Sequence, residues 1–460
     1  MAHKFSKIII GSGPTGLGAA YFLKENNCHD FIILEKENYY GGLATSFLDE
    51  KGFTWDVGGH VQFSHYPYFD NVMLKAISKE NWLSHERSSW VWMNDLFVPY
   101  PLQNNIHRLP KIVRDECLRG LENLDTCSNP INNFEDWILK SFGEGMAKHF
   151  FFPYNFKVWA YPPKMLNYSW VSERVASVNI ERIKENIKLM RDDISWGPNN
   201  TFQFPLKGGT GAIWKNVAAL VGYQKIKLNT KIYEIDHHNK LLKTNHGNFS
   251  YDQILSTMPV SELGKIVTPI NQTIVDESQK LLYSSSHIVG IGLKGFTPKS
   301  LADKCWMYFP ESNSPFYRVT VFSNYSQYNV PDIKKYFSLM TETSSSTLKK
   351  IDSTMLVEEV INGLINSKIL KQEDLKNIVS TWMYTAKYGY PTPSTDRDNT
   401  LNLIISSLEK MNIYSRGRFG GWKYEVSNQD HSFMQGVEWA DFILNKKEET
   451  ILRIKRHDLD

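Results

Sequence analysis

Lys7-Ile8-Ile9-Ile10-Gly11-Ser12-Gly13-Pro14-Thr15-Gly16 decides the fold of this chain. The apolar residues before the glycines read as a short buried strand, and Leu17 to Lys24 reads as a helix. Gly11 permits the tight turn. Gly13 lets the backbone approach a pyrophosphate, and Gly16 lets the helix pack close to the strand. Pro14 and Thr15 open the helix, whose N-terminus faces the anion. A second apolar run, Phe31-Ile32-Ile33-Leu34, ends at Glu35, 19 residues beyond Gly16. A carboxylate there accepts hydrogen bonds from both ribose hydroxyls and disfavours a 2′-phosphate. Strand, helix, strand and acidic end in register predict a dinucleotide-binding Rossmann-like α/β domain.

Further on come Gly41-Gly42-Leu43-Ala44 and Trp55-Asp56-Val57-Gly58-Gly59-His60-Val61-Gln62-Phe63. The second run places backbone and one imidazole against a reactive ring, which predicts FAD as the dinucleotide. Gly42, Leu43, Gly58, Gly59 and His60 are therefore candidate cofactor contacts beside Gly11, Gly13, Pro14, Thr15, Gly16 and Glu35.

A chain of 460 residues, 42% hydrophobic and 22% charged, has room for two or three units and a sizeable core. A net charge of +3 is too weak to suggest nucleic acid or an anionic membrane as the main partner. Cys28, Cys117, Cys127 and Cys305 are scattered, without CxxC pairing or metal spacing to histidine, so reduced thiols and no metal are expected. No signal peptide or membrane-length apolar run is visible, and the expectation is a cytoplasmic protein.

Three units are predicted. Residues 1–75, 200–265 and 412–446 form a discontinuous FAD-binding domain. Residues 76–199 form a helical substrate and oligomerisation domain, with helices over Arg114 to Leu124, Phe134 to Phe142, Gly145 to Phe151 and Ser172 to Arg191. Residues 266–411 form an antiparallel β-sheet domain, with strands over Val289 to Leu293, Trp306 to Phe309, Tyr317 to Phe322 and Tyr336 to Thr341. Thr343-Ser344-Ser345-Ser346 reads as a surface loop, and 447–460 as a charged, solvated tail.

Longer motifs narrow the reading. They are Asp56 to Tyr66, Val98-Pro99-Tyr100-Pro101-Leu102-Gln103, Pro153-Tyr154-Asn155-Phe156-Lys157-Val158-Trp159 and Trp196-Gly197-Pro198-Asn199. Lys304-Cys305-Trp306-Met307-Tyr308, Pro315-Phe316-Tyr317-Arg318, Gly389-Tyr390-Pro391, Gly417-Arg418-Phe419-Gly420 and Tyr424 to Met434 follow. These runs span nearly the whole chain and resemble, in order, the UDP-galactopyranose mutases of the eukaryotic type.

The resemblance implies a flavin-dependent isomerase with no net redox change, interconverting UDP-galactopyranose and UDP-galactofuranose for cell-surface glycan biosynthesis. The reduced flavin N5 would attack the anomeric carbon as UDP leaves, so the cofactor, not a side chain, is the nucleophile. NADPH or NADH would reduce it, binding in the substrate cleft because no second fingerprint is present. By the same resemblance Arg318 and Arg418 are the diphosphate pair, with Arg174 arriving on a loop; guanidinium suits phosphate because its donors are planar and stay charged. Tyr308, Tyr390 and Tyr424 add phenolic donors. Phe63, Tyr100, Gln103, Phe150 and Tyr154 fall on the substrate side, with Asn155 and Trp159 nearer the ribose and diphosphate, and Asn199 closes over the substrate. His60 lies beside the flavin. Gly417, Asn428, Gln429 and Ser432 hold the flavin's pyrimidine end and ribityl chain. A homo-oligomer is left open.

Three positions depart from the pattern. Leu102 stands where an aromatic residue is expected, and Gln203 and Lys423 stand where arginines are. The competing reading is an FAD-dependent oxidase or desaturase of the amine-oxidase group, which shares the glycine fingerprint but takes apolar or amine substrates.

Overall fold

The computed structural model describes residues 2–124, 130–171, 175–194 and 200–453. The opening strand, Lys7–Ile10, lies at the centre of a parallel sheet ordered Ile226–Lys227, Phe31–Leu34, Lys7–Ile10, Gln253–Ser256, Ile413–Ser415. A parallel sheet is covered on both faces, so its strands are apolar runs rather than alternating ones. Ile8, Ile9, Ile33, Ile254 and Ile413 are all buried accordingly.

Helix Pro14–Glu25 packs between helices Gly211–Val221 and Gln429–Asn445. Two glycines set how closely. A Cβ on Gly16 would lie 2.0 Å from the Gly11 carbonyl oxygen, and one on Gly436 would lie 1.9 Å from that of Thr15. The first closeness is predicted from the fingerprint; the second joins the chain's two ends. A second five-stranded sheet, mixed and ordered His3–Lys4, Gly247–Ser250, Leu241–Thr244, Ile232–Asp236 and Val267–Thr268, flanks this domain.

The second large sheet has seven strands, ordered Ile378–Pro391, Tyr283–Lys294, Tyr336–Ser345, Arg318–Val321, Trp306–Tyr308, Ser89–Met93, Leu96–Pro99. Its last two strands come from the segment read as helical. Trp306–Tyr308 pairs with Ser89–Met93 in parallel, so two distant pieces of sequence make one ladder. Among the described residues, the α- and π-helical part of 76–199 comprises Lys111–Glu122, Phe134–Met146, a π-turn Ala147–Phe151, Phe152–Trp159 and Ile180–Leu189. Among the described residues the helix expected over Ser172 to Arg191 spans only Ile180–Leu189, because Asn179 caps it by accepting from Arg182 N.

Other expectations are corrected. Thr343 and Ser344 are buried, not in a surface loop, because strand Tyr336–Ser345 runs through them. The Ser344 hydroxyl donates to Val158 O and the Ser346 hydroxyl to Ala160 O (2.7 Å), hooking the sheet to the end of helix Phe152–Trp159. Strand Ile378–Pro391 and helix Arg397–Glu409 were not anticipated as such. The tail begins exposed at Lys447 and Glu448, as expected, but is anchored just beyond. Glu449, Ile451 and Leu452 are buried, and Glu449 pairs with Arg416. No helix among the described residues is long and apolar enough to cross a membrane.

Candidate active site

The dinucleotide end is built as its sequence demands. Gly13 caps helix Pro14–Glu25 with no side chain, and the position a Cβ would take there has nothing nearer than the Gly41–Gly42 backbone, at 3.8 and 4.0 Å. That leaves the helix N-terminus open to an anion. Glu35 is buried; its Oε2 accepts from Ser12 N (2.7 Å) and its Oε1 from Glu37 N (2.9 Å). Gly42–Ala44 is a 3₁₀ turn beside Gly13, with Leu43 between two core clusters. Gly417, from the far end of the chain, donates its N–H to Gln435 and lies against Thr15. Asn428 is the N-cap of helix Gln429–Asn445, Gln429 accepts from Trp214 Nε1 (2.7 Å), and Ser432 N donates to Asn428 O. An open helix N-terminus, a buried carboxylate and a second N-terminus gathered here fit FAD.

The loop after strand Thr54–Asp56 carries Gly58, Gly59 and His60 to Arg318. Gly59 N donates to Glu342 Oε1 at 2.9 Å. The same carboxylate binds Arg318 through Nε to Oε1 (2.6 Å) and Nη2 to Oε2 (2.7 Å), and accepts from Tyr317 Oη (2.8 Å). Glu342 is one residue that sequence reading misses. The only trace was a single charge within Phe337-Ser338-Leu339-Met340-Thr341-Glu342-Thr343, an otherwise uncharged strand.

His60 Nδ1 is buried without a hydrogen-bond partner. Burial pushes the imidazole down to about 4; Glu342 opposes this, and Arg418 and Arg318 add to it. The ring is therefore neutral at neutral pH. Burial disfavours the charge on Arg318, but Glu342 and the surrounding phenols outweigh it and hold the guanidinium's pKa above its ordinary value.

Arg418 arrives from the opposite side. Its Nη2 donates to Gly389 O (2.9 Å) and its Nη1 to Ser427 Oγ (2.9 Å), with its guanidinium 5.0 Å from the Tyr390 ring and 5.9 Å from that of Tyr424. Tyr390 and Tyr317 meet at 3.5 Å between hydroxyls, which brings the Arg318 and Arg418 sides together. Burial raises the pKa of Tyr154, Tyr317 and Tyr390, so these phenols remain donors.

The aromatic wall is continuous. Tyr308 lies 5.3 Å from Tyr100 and 5.5 Å from Tyr154, and Tyr154 stacks on Phe150 at 5.3 Å and 7°. Phe150 is buried within the helical core, and so is Trp159, whose edges meet Tyr390 and Tyr424. Asn155 spends its amide on Phe151 O (2.8 Å) inside the π-turn. Gln103 donates to Ala176 O, leaving a buried Oε1 without a hydrogen-bond partner, an acceptor suited to an imide N–H. Phe63 faces His65 edge-on at 6.3 Å rather than this wall. Arg174 and Asn199 lie outside the described residues. An unanticipated cation, Arg87, stands 5.3 Å from both Tyr100 and Trp306. Asp430, His65 and His431 bring ligand atoms within 4.8 Å of one another, a spacing able to hold a metal ion that the linear sequence conceals.

A sheet-borne cofactor cradle facing a wall of tyrosines and two fixed guanidiniums defines a class. The chain belongs to the flavin-containing amine oxidoreductase family, whose profile matches residues 14–414. Within that class it groups with the UDP-galactopyranose mutases: the structure of a reduced UDP-galactopyranose mutase is 46% identical, with a TM-score of 0.95 over 99% of this chain and 97% of that one. Putrescine oxidase bound to putrescine shares the fold alone, at 12% identity and a TM-score of 0.64 over 96% of this chain and 100% of that one. An 80-residue stretch is 31% identical to the 15-cis-phytoene desaturase of Glycine max, covering 17% of this chain and 14% of that one. The zeta-carotene desaturase of Capsicum annuum is 32% identical over 85 residues, 18% of this chain and again only 14% of the relative's length.

Proposed function

We propose that this protein is an FAD-dependent isomerase that interconverts UDP-galactopyranose and UDP-galactofuranose. The carrying observation is that Arg318 and Arg418, from distant strands and turns, are linked through the Tyr317–Tyr390 contact to one cluster of aromatic side chains, Tyr100, Tyr154, Tyr308, Tyr390 and Tyr424. Two guanidiniums held by protein acceptors match a diphosphate and mismatch an amine, which argues against the oxidase reading.

Reduced flavin, when bound, supplies the nucleophile for the sugar's anomeric carbon. The chain's own groups do the rest. Arg318 and Arg418 hold UDP and stabilise the negative charge that grows on its leaving oxygen. Both are already positioned, Arg318 by Glu342 and Arg418 by Gly389 O and Ser427, so little reorganisation is spent at that moment. The phenolic hydroxyls of Tyr308, Tyr390 and Tyr424 donate to phosphate oxygens. The aromatic wall from Tyr100 to Tyr154 takes the uracil face, with Gln103 at its polar edge. His60, neutral, sits beside the flavin without adding charge that would compete with the arginines.

NADPH or NADH serves as reductant in this reading, entering by the substrate cleft, and the enzyme works in the cytoplasm. The test is direct. Dithionite-reduced holoenzyme is supplied with UDP-galactofuranose and the products are separated by chromatography. Formation of UDP-galactopyranose by reduced enzyme alone supports the proposal; no conversion, or equal conversion by oxidised enzyme, overturns it.

A further inference from the structure

Resting on the mutase reading, we propose that Glu342 is a positioning residue that couples filling of the diphosphate subsite to the flavin-facing loop. One oxygen does both jobs. Glu342 Oε1 accepts from Arg318 Nε at 2.6 Å and from Gly59 N at 2.9 Å. The carboxylate is 2% exposed, so no solvent competes for either bond. The loop is fitted against it: a Cβ on Gly59 would lie 2.9 Å from Thr320 Oγ1 and 3.3 Å from Glu342 Oε1.

An arriving diphosphate and Glu342 are rival anions for one guanidinium. Arg318 spends Nε and Nη2 on the carboxylate, so a phosphate that draws on those donors weakens both contacts. The freed Oε1 density then falls on the Gly59 N–H, and the hold on the Gly58–Gly59 peptide of the flavin-facing loop changes. The loop is in turn a place where flavin state matters. Oxidised flavin offers N5 as an acceptor and reduced flavin offers N5–H as a donor, so backbone facing it must change partner. Two equilibria that share one carboxylate oxygen are linked, and linkage is reciprocal. Tyr317, the third donor, binds Oε2 only and lies off this path.

The experiment measures UDP affinity of FAD-loaded protein with the flavin oxidised and with it reduced, by anaerobic titration calorimetry. Wild type is expected to show dissociation constants that differ at least fivefold between the two states. Glu342→Gln keeps the shape and removes the charge; the ratio should collapse to within twofold. Glu342→Asp keeps the charge but shortens the reach, so it serves Arg318 and not Gly59, and the ratio should collapse equally. Tyr317→Phe should keep the wild-type ratio. A merely structural role would weaken UDP in both flavin states alike and leave the ratio unmoved. A wild-type ratio of one, or a wild-type ratio retained in both Glu342 variants, overturns the proposal. Wild type that carries flavin but binds UDP in neither state overturns the mutase reading itself.

Discussion

Arg416 and Glu449 meet inside the protein, Nε to Oε1 and Nη2 to Oε2 both at 2.6 Å, two residues before Arg418. The guanidinium also reaches Glu409 at 2.6 Å, and Lys423 donates to Leu452 O at 2.9 Å. A segment whose charge suggests solvent is thus folded under the turn that presents Arg418, the proposed diphosphate ligand. Removing one partner of a buried ion pair strands the other, at a cost of about 3–5 kcal/mol. Glu449→Ala leaves Arg416 with Glu409 beside it, so the loss in urea unfolding should be smaller, about 1.5–3 kcal/mol, the usual worth of a hydrogen bond to a charged group. It should also raise the UDP dissociation constant, because the Arg418 turn loses its floor. A variant as stable as wild type would show the pair to be inert.

Arg318→Lys and Arg418→Ala should each reduce turnover by about 10²–10³-fold, the usual cost of removing one fixed donor from a developing negative charge. Flavin absorbance per protein should not change, since neither side chain contacts the glycine fingerprint. Lysine in place of Arg318 is not conservative, because Glu342 uses two donors of a planar fork. Single-turnover assays with reduced enzyme check this, and a loss below tenfold would reject the diphosphate assignment.

The neutral state of His60 sets a pH dependence. Burial, with Arg418 and Arg318, holds its folded pKa at about 4 against Glu342, below an unfolded value of about 6.5. Between those values the unfolded chain binds more protons than the folded one, so stability from this site rises with pH across about 4 to 6.5 and is flat above. In urea midpoints at pH 4.5 and 6.5, His60→Gln should shrink the difference seen in wild type. An unchanged difference would mean that His60 does not titrate in this range.

Gly436→Ala should disrupt the joint between the two ends of the chain. The added methyl would fall 1.9 Å from Thr15 O and 2.8 Å from Ala19 N, both backbone atoms that cannot swing aside. Overpacking of this kind typically costs about 1–3 kcal/mol, and here it also spreads the helix whose N-terminus awaits the pyrophosphate. Reduced flavin content and a lower Tm are expected; normal flavin content would refute the tight crossing.

Local signals made the flavin domain legible. Lys7 to Gly16 is contiguous, and each of its residues has a steric or electrostatic reason to be there. The motifs around Arg318, Arg418 and Tyr154 were legible only through resemblance, because nothing within a dozen residues says that they share a cleft. What escaped notice depends on pairing across long separations. Ser89–Met93 becomes a strand because Trp306–Tyr308 lies beside it. Ile378–Pro391 forms the sheet's edge, alternates between exposed and covered positions, and carries too few aliphatic residues to announce itself. Glu342 resembles any acidic residue until the fold delivers Arg318 and Gly59 to it. Glu449 looked like tail charge because its partner lies 33 positions earlier.

The ladder from Ser89–Met93 through Trp306–Tyr308 to Arg318–Val321 joins the helical insertion to the strand bearing the first arginine. Serine hooks at Val158 and Ala160 fasten the other flank of that insertion to the same sheet. The walls proposed to face uracil and diphosphate are consequently woven into a single fabric. Swinging the insertion outward like a door would tear backbone rungs as well as side-chain ties. A nucleotide sugar, in the proposed reading, must therefore be admitted without that hinge, and inhibitors that seek to pry the two walls apart should work poorly.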